Sequence, residues 1–151
     1  MIRLTRRYRF SASHRLHCRE LSDQRNRELF GACNNPFGHG HDYVLELSVR
    51  GPVDESSGRV VHLGELDKLI RGEILETFQH KNINEQVPEF ADTIPSTENL
   101  LADIERRLAR RWSSVFPGPW PALDRIRIRE TRHNIFETST ETSTEPSPRA
   151  I

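Results

Sequence analysis

The sequence is short of several features that would assign it to a class at once. It has only two cysteines, Cys18 and Cys33, which excludes a disulfide framework and makes a reducing cytoplasm the expected location. Its 22 basic and 22 acidic side chains cancel, whereas a general nucleic-acid binder carries a basic excess. It has no apolar run of about 18 residues and no secretory signal at its start, so we expect no membrane partner.

The chain is also short and polar. With 151 residues it has room for one domain, which we place at residues 1–137. Only 34% of its residues are hydrophobic, so association with partner chains is a plausible way to complete a modest core. Residues 138–151 repeat Thr, Ser and Glu with little to bury, and we expect a disordered tail there.

Hydrophobic periodicity predicts an α+β fold, with an antiparallel sheet backed by helices. Residues 2–12 alternate apolar and polar side chains, as in an antiparallel strand. The other predicted elements are a second strand at 43–49, a hairpin connection at 54–58, a short third strand at 60–63, helices at 65–78 and 97–112, and a last hairpin of 123–130 with 134–136. Ser96 is the expected N-cap of the second helix. The polar segment 19–28 is expected to be a surface excursion and 31–40 an irregular loop.

Three of the seven histidines predict a metal site. His39 and His41 are two residues apart at the entry to the second strand, so their rings project from the same side. His14 has the parity of the apolar residues of the first strand, just beyond its end. If the two strands pair, the rings meet, and three imidazoles with no fourth protein ligand nearby are typical of an open, catalytic zinc site. The alternative is three ordinary hydrogen-bonding histidines.

Cys33 is the other candidate for chemistry. It lies six residues before His39, in the Gly-rich loop that leads into the second strand. A thiol close to a divalent cation has a lowered pKa and can act as a base or a nucleophile. The alternative is a buried, inert thiol, which is our interpretation of Cys18.

Several motifs occur together in this chain. They are, in chain order, Phe-Ser-Ala-Ser-His-Arg-Leu-His at 10–17, Cys-Asn-Asn-Pro-Phe-Gly-His-Gly-His at 33–41, His-Lys-Asn-Ile-Asn at 80–84, Ser-Thr-Glu-Asn at 96–99 and Glu-Thr at 130–131. This set resembles one known family, the 6-pyruvoyl-tetrahydropterin synthases. The second motif is highly specific, and the resemblance covers about residues 1–137.

The resemblance implies a tunnelling fold, in which a four-stranded antiparallel sheet carries two helices on one face. Three such subunits would close a barrel and two trimers would stack into a homo-hexamer, with active sites between subunits. It further implies a lyase that eliminates triphosphate from 7,8-dihydroneopterin triphosphate and rearranges the side chain to a 1′,2′-dicarbonyl. One Zn²⁺ per subunit would be the cofactor, and Mg²⁺ could accompany the substrate triphosphate.

The resemblance also assigns roles to residues. Zinc bound to His14, His39 and His41 would polarise a substrate oxygen, and Cys33 would remove a proton from the adjacent carbon. His80 would handle proton transfer at the oxygens. Glu130 would accept hydrogen bonds from the amino-pyrimidine edge of the pterin. The hydroxyls of Thr97 and Ser96 would contact the ring. As alternatives, His80 could cap the helix before it and Glu130 could be a surface carboxylate.

The sequence departs from the family pattern at two positions. Gln79 stands directly before His80, where family members usually have Asp. A neutral Gln can orient the imidazole by hydrogen bonding but cannot stabilise its charged form, so we hypothesise a slower proton-transfer step. His62 replaces the Asp or Asn of many relatives, and the sequence offers no physical account of that change.

Two other functions compete. A 6-carboxytetrahydropterin synthase of queuosine-precursor biosynthesis uses the same substrate and machinery. It usually has a shorter link between the cysteine and His-x-His, so the Asn-Asn-Pro at 34–36 favours the pyruvoyl product. The second is a non-catalytic zinc- and pterin-binding module, which the neutral Gln79 makes credible.

Overall fold

The computed structural model describes residues 1–139. Its strands are β1 Ile2–His14, β2 His39–Gly51, β3 Lys81–Asn82, β4 Ala122–Arg129 and β5 Ile135–Ser139. Its helices are α1 Asp23–Phe30, α2 Leu63–Ile70, α3 Glu76–Phe78, α4 Ile83–Gln86 and α5 Thr97–Val115. None of these helices is long and apolar enough to cross a bilayer. The α+β class is confirmed.

Within residues 1–139 the sheet has five strands in the order β3-β1-β2-β4-β5, not the four that the resemblance implied. The four longer strands pair antiparallel, as expected. The additional β3 is only two residues long and runs parallel to β1, with Ala12 opposite Lys81. A strand this short has no periodicity to detect, and it forms because the chain leaves α3 and returns beside the end of β1.

The long ribbon of β1 and β2 sets the register of the whole domain. It keeps one register from Ile2 opposite Gly51 to His14 opposite His39. Within it Phe10 faces Tyr43, and the two buried rings stack with centroids 5.0 Å apart. Since the side-chain period is two, this register places every residue with the parity of Phe10 on the core face. The predicted alternation of the two strands is therefore confirmed.

Both predicted helices pack their apolar stripes on that face. The first is continuous from α2 to α3 through a π-helical turn, Arg71–Leu75. The second, α5, runs three residues further than predicted and has Ser96 as its N-cap. The fully buried side chains of these helices are Leu66, Ile70, Ile74, Phe78, Leu100, Ile104 and Leu108. Burying each contributes about 1.5–3 kcal/mol, so these stripes hold the helices on the sheet.

The predicted third strand is wrong. Residues 59–62 are irregular, and the chain enters α2 at Leu63. A turn precedes them, in which the Asp54 carboxylate accepts hydrogen bonds from Ser56 and Ser57. Val61 is buried against the core and pairs with none of the described strands, so its apolar character reflects packing rather than a strand. His62 is the N-cap of α2, with Nδ1 accepting from the Glu65 N–H at 3.2 Å. Asp and Asn, which many relatives have at this position, are preferred N-caps. His62 therefore replaces them in the same role, which accounts for the substitution that the sequence left unexplained.

Two further differences concern segments expected to be irregular or disordered. The surface segment 19–28 contains most of α1, a helix capped by Ser22 and too polar to show a clear apolar stripe. Strand β5 extends to Ser139, two residues beyond the predicted domain boundary. The rest of the expected disordered tail, residues 140–151, lies outside the described residues.

Candidate active site

The three predicted histidine ligands meet where β1 ends and β2 begins. His14 is the last residue of β1 and faces His39, while Ala12 faces His41. The Nε2 atom of His39 lies 3.2 Å from Nε2 of His14 and 3.1 Å from Nε2 of His41. Nearby, Gly38 has φ +72° and lies so close to β1 that a Cβ there would sit 3.0 Å from the His14 carbonyl oxygen. A glycine at this position therefore allows the loop to deliver His39 to its partner ring.

The protonation of His14 is set by its surroundings. Its Nδ1–H donates to the carbonyl oxygen of Pro95 at 2.8 Å, which leaves the lone pair on Nε2. The ring is buried, and burial lowers the pKa of His14, which favours the neutral form. Burial likewise lowers the pKa of His41, against the opposing attraction of the Glu130 carboxylate. A neutral imidazole with an oriented lone pair is the form that binds a metal ion.

The distances from the His39 ring nitrogen to its two neighbours fit a zinc ion. Ligand nitrogens about 2.0 Å from a tetrahedral ion lie roughly 3.3 Å from one another, close to the 3.1 and 3.2 Å observed. His14 Nε2 carries a lone pair, and His39 Nε2 can give a proton to only one of its two neighbours. One cation among the three Nε2 atoms would accept a lone pair from each of them, so the donor set fits a bound divalent metal.

Cys33 reaches the same place from a 3₁₀ turn, Gly31–Asn34. Its Sγ and the ligand nitrogens of His14 and His39 all lie within 4.8 Å of one another. The turn is tied to the chain after β1, since the Leu16 N–H donates to the Cys33 carbonyl at 2.8 Å. Burial, followed by the negative charge of Glu130, raises the pKa of the Cys33 thiol. A cation bound by the imidazoles would act in the opposite sense and favour the thiolate.

Glu130 corrects one expectation, that the three imidazoles would have no fourth donor nearby. Its carboxylate Oε1 lies 3.4 Å from Nε2 of His41 and 3.8 Å from Nε2 of His14. Strand β4 ends one residue earlier, with Arg129 opposite Val44, so the sheet register carries Glu130 to the histidine end of β2. A site with three imidazoles, a thiol and a carboxylate can hold a metal and still offer charged groups to a substrate.

The two predicted hydroxyl residues at the start of α5 differ in what they contact. Thr97 is buried and its Oγ1 donates to Glu130 Oε1 at 2.8 Å, which holds the carboxylate in place. Ser96 Oγ accepts the Asn99 N–H at 3.2 Å as the helix N-cap. Both lie beside the cluster, because Pro95 directly before them bonds His14. Their contact with a ring ligand stays a prediction.

His80 belongs to a neighbouring cavity rather than to the metal cluster. The cavity has a volume of about 480 Å³ and includes Ser11, His41, Asp42 and His80 in its lining. Among the described residues, His80 is absent from the groups whose ligand atoms lie within 4.8 Å of one another. The structure therefore groups the other predicted site residues around the three imidazoles, with Ser96 placed there as the neighbour of Thr97. His80 lies apart from this group, and His41 is the predicted metal ligand that also lines its cavity. His80 does not cap α3, since it lies beyond the C-cap residue Gln79 in a turn with φ +58°.

Tyr43 is a site residue that sequence reasoning treated only as part of the core. Its ring packs edge-on to His41, with centroids 5.6 Å apart. The side chain is fully buried, and its hydroxyl lies beside the Thr97 side chain. Burial and the nearby Glu130 carboxylate raise the pKa of Tyr43. The signal in the sequence was its position two residues after His41 on the same strand face.

These features define an α+β protein in which three imidazoles meet beside a free thiol and a partly buried carboxylate, a set of groups that fits a metal ion. The family model for 6-pyruvoyl tetrahydropterin synthase matches residues 3–141, and the chain belongs to that family. A 6-pyruvoyl tetrahydrobiopterin synthase from Drosophila melanogaster is 50% identical over 88% of this chain and 76% of its own length. One from Poecilia reticulata is 44% identical over 87% of this chain and 86% of its own length.

The solved structures agree with this assignment. The 6-pyruvoyl tetrahydropterin synthase of Caenorhabditis elegans superposes with a TM-score of 0.80 at 38% identity, covering 93% of this chain and 96% of its own. The competing activity also has a relative, since a 6-carboxy-5,6,7,8-tetrahydropterin synthase from Rickettsia felis is 31% identical over 91% of this chain and 99% of its own length. The similarity is thus higher to the pyruvoyl enzymes.

Proposed function

We propose that this chain is a zinc-dependent carbon–oxygen lyase that converts 7,8-dihydroneopterin triphosphate into 6-pyruvoyl-tetrahydropterin and inorganic triphosphate, in tetrahydrobiopterin-type pterin biosynthesis. The observation that carries the proposal is the convergence of three imidazole Nε2 atoms with the Cys33 thiol and the Glu130 carboxylate. The high identity to enzymes named for this activity supports the same conclusion.

Glu130 and Thr97 are suited to hold the pterin. The amino-pyrimidine edge of a pterin presents adjacent N–H donors, which match the two oxygens of a carboxylate. Thr97 occupies one lone pair of Oε1 and orients the group, so that the second oxygen can be presented to the ring. Glu130 then fixes the ring, and with it the position of the side chain that reacts.

Cys33 is suited to remove the proton from the side-chain carbon that bears a hydroxyl. Zinc held by His14, His39 and His41 would supply Lewis-acid polarisation of the hydroxyl oxygen. The thiol lies against two of these rings, within 4.8 Å of their ligand nitrogens. Burial raises its pKa, and positive charge bound next to Cys33 would act against this and favour the thiolate base. Formation of the thiolate is therefore linked to metal binding. The reaction also requires Cys33 to be a free thiol, which a reducing cytoplasm maintains.

We assign to His80 the remaining proton transfer, at the substrate oxygens, and to Mg²⁺ a place on the triphosphate. Because His80 lies in the cavity next to His41, one substrate could extend from the metal cluster into that cavity. Alternatively His80 serves the site of an adjacent subunit, as active sites between subunits would require. In both arrangements His80 moves protons without binding the metal.

We propose a homo-hexamer built from two trimers. The terminal strand β5 forms an edge of the described sheet, and an unpaired edge is a ready surface for another strand. Large apolar side chains are exposed near the sheet edges, with Ile2 at 50% and Ile135 at 45% exposure. Pairing of such edges between subunits would close a barrel and bury these side chains. Light scattering or analytical ultracentrifugation of the purified chain tests this assembly.

The deciding experiment combines metal analysis with a product assay on the purified full-length chain. Incubation with 7,8-dihydroneopterin triphosphate should release triphosphate and form the 1′,2′-dicarbonyl product, with about one zinc per chain. Release of acetaldehyde would instead identify a 6-carboxytetrahydropterin synthase. Retained zinc and pterin binding without any turnover, in the native chain and in Cys33→Ala alike, would identify a non-catalytic binding module.

A further inference from the structure

The turn that carries His80 is held to strand β1 by two hydrogen bonds of opposite direction. The backbone N–H of His80 donates to the carbonyl oxygen of Ser11 at 2.7 Å. The backbone N–H of Ser11 donates to Oε1 of the Gln79 side chain at 2.8 Å. The turn itself is strained, since His80 has φ +58°. Both the main chain and the side chain of this turn are therefore fixed to the same strand residue.

The second of these bonds decides the orientation of the Gln79 amide. A backbone N–H can only donate, so the side-chain atom that faces Ser11 must be the amide oxygen. The amide NH₂ group is then on the other side, where Gln79 Nε2 lies 3.1 Å from Nε2 of His80. An amide NH₂ can only donate, so His80 Nε2 must be the acceptor in this bond.

From this network we infer that Gln79 is a positioning residue that fixes the tautomer of His80, with the ring proton on Nδ1. The inference rests on the proposed function for its meaning in catalysis, but the hydrogen bonds that carry it do not. The Nε2 lone pair is occupied by Gln79. The nitrogen left for a ligand in the cavity of Ser11, His41, Asp42 and His80 is Nδ1, which in neutral His80 is a donor.

A carboxylate of the same length would reverse this arrangement. One oxygen could still accept from Ser11 N–H, but the other can only accept, so His80 Nε2 would have to carry the proton. The free Nδ1 would then present a lone pair to the cavity. Gln79 therefore presets neutral His80 to donate a hydrogen bond to a substrate oxygen, whereas an acidic residue would preset it to remove a proton.

The test is a tautomer measurement on the full-length chain with ¹³C,¹⁵N-labelled histidine. Magic-angle-spinning NMR at about pH 8.5, well above the ordinary histidine pKa near 6.5, distinguishes the protonated ring nitrogen by the ring carbons bonded to it. Signals that disappear in His80→Gln identify His80. We expect the proton on Nδ1 in the native chain, on Nε2 in Gln79→Glu, and a mixture of both tautomers in Gln79→Met, which can form neither bond.

A native chain with the proton on Nε2 would overturn the inference, and so would an unchanged tautomer in Gln79→Glu. The native measurement decides the question even if a variant fails to fold, and Gln79→Asp provides a second carboxylate. Activity is a separate readout. A native chain with the Nδ1 tautomer but without lyase activity would refute the proposed function and leave the positioning role intact. A native chain with lyase activity but with the proton on Nε2 would refute the positioning role alone.

Discussion

The domain positions its histidines in two different ways. His14, His39 and His41 are placed by the register of the long β1–β2 ribbon, in which His14 faces His39. His80 lies beside the same end of β1, but a strained turn and one amide side chain hold it there. A strand register is cooperative and rigid, whereas a single side-chain hydrogen bond can be exchanged by one substitution. Metal binding should therefore respond to the ribbon residues and proton transfer to the turn.

The largest effect is expected from removal of one ribbon histidine. In His39→Ala the central nitrogen, 3.1 and 3.2 Å from its neighbours, is missing. We expect zinc content to fall from about one per chain to nearly zero, and activity to fall at least about 10³-fold because several kcal/mol of charge stabilisation is lost. Plasma emission spectroscopy and the product assay measure both. The exposed His133 supplies a control, since His133→Ala should keep its metal.

Replacement of the thiol should separate chemistry from metal binding. Cys33→Ala is expected to lose about 10²–10⁴-fold in kcat, the usual contribution of a positioned base, while it keeps its zinc. Cys18, whose thiol donates to Glu20, provides the matched control, because Cys18→Ala should keep full activity. A comparable loss in both variants would show that thiol removal damages the fold rather than the reaction.

The carboxylate between the cluster and α5 should affect substrate binding. Glu130→Gln keeps the shape of the group but loses its charge and one acceptor oxygen. We expect KM to rise about 10- to 100-fold, because a hydrogen bond to a charged group contributes roughly 1.5–3 kcal/mol. Zinc content should stay unchanged. A parallel loss of zinc would instead make Glu130 a metal ligand, which its 3.4 Å distance to His41 Nε2 also permits.

A substitution in the turn that carries His80 should increase the activity, whereas the three preceding substitutions decrease it. In Gln79→Asp the carboxylate can accept the ring proton of His80 and stabilise the imidazolium. If proton transfer by His80 limits turnover, kcat should rise by about tenfold at its optimum pH. Turnover measured across pH checks this, with Gln79→Met as the neutral control. The absence of a gain at every pH would contradict the hypothesis that the neutral residue slows this step.

The smallest effect is expected away from both histidine sites, at the cap of α2. His62 Nδ1 accepts from Glu65 N–H at 3.2 Å and lies on the surface. His62→Asp should raise the free energy of unfolding by ~0.5 kcal/mol and His62→Ala should lower it by ~1 kcal/mol. Urea unfolding at one fixed protein concentration measures both, since assembly makes stability concentration-dependent. Either variant should leave zinc content and kcat unchanged.

Parity and spacing were sufficient to predict much of the candidate site. The alternation of β1 and β2 predicted that His14, His39 and His41 would share one face, and their Nε2 atoms do converge. The two long helices were predicted from the 3.6-residue period of their buried side chains. In contrast, α1 has few apolar residues and β3 has only two residues, so neither produces a period.

Val61 shows the opposite error. It is apolar and stands in a short apolar run, but it is buried by packing against the core without joining the sheet. A run of four residues cannot distinguish these two ways of burying a side chain. The sequence alone also left His62 unexplained, because its role depends on where α2 begins.

The sequence by itself determined which side chains can do chemistry here and which strand face carries them, because parity is a local property of an extended chain. Only the tertiary structure decided that Glu130 joins the imidazoles through the β2–β4 register and that Gln79 faces His80 with its NH₂ group. These depend on contacts between residues distant in sequence, above all the Ser11 N–H that occupies the oxygen of Gln79.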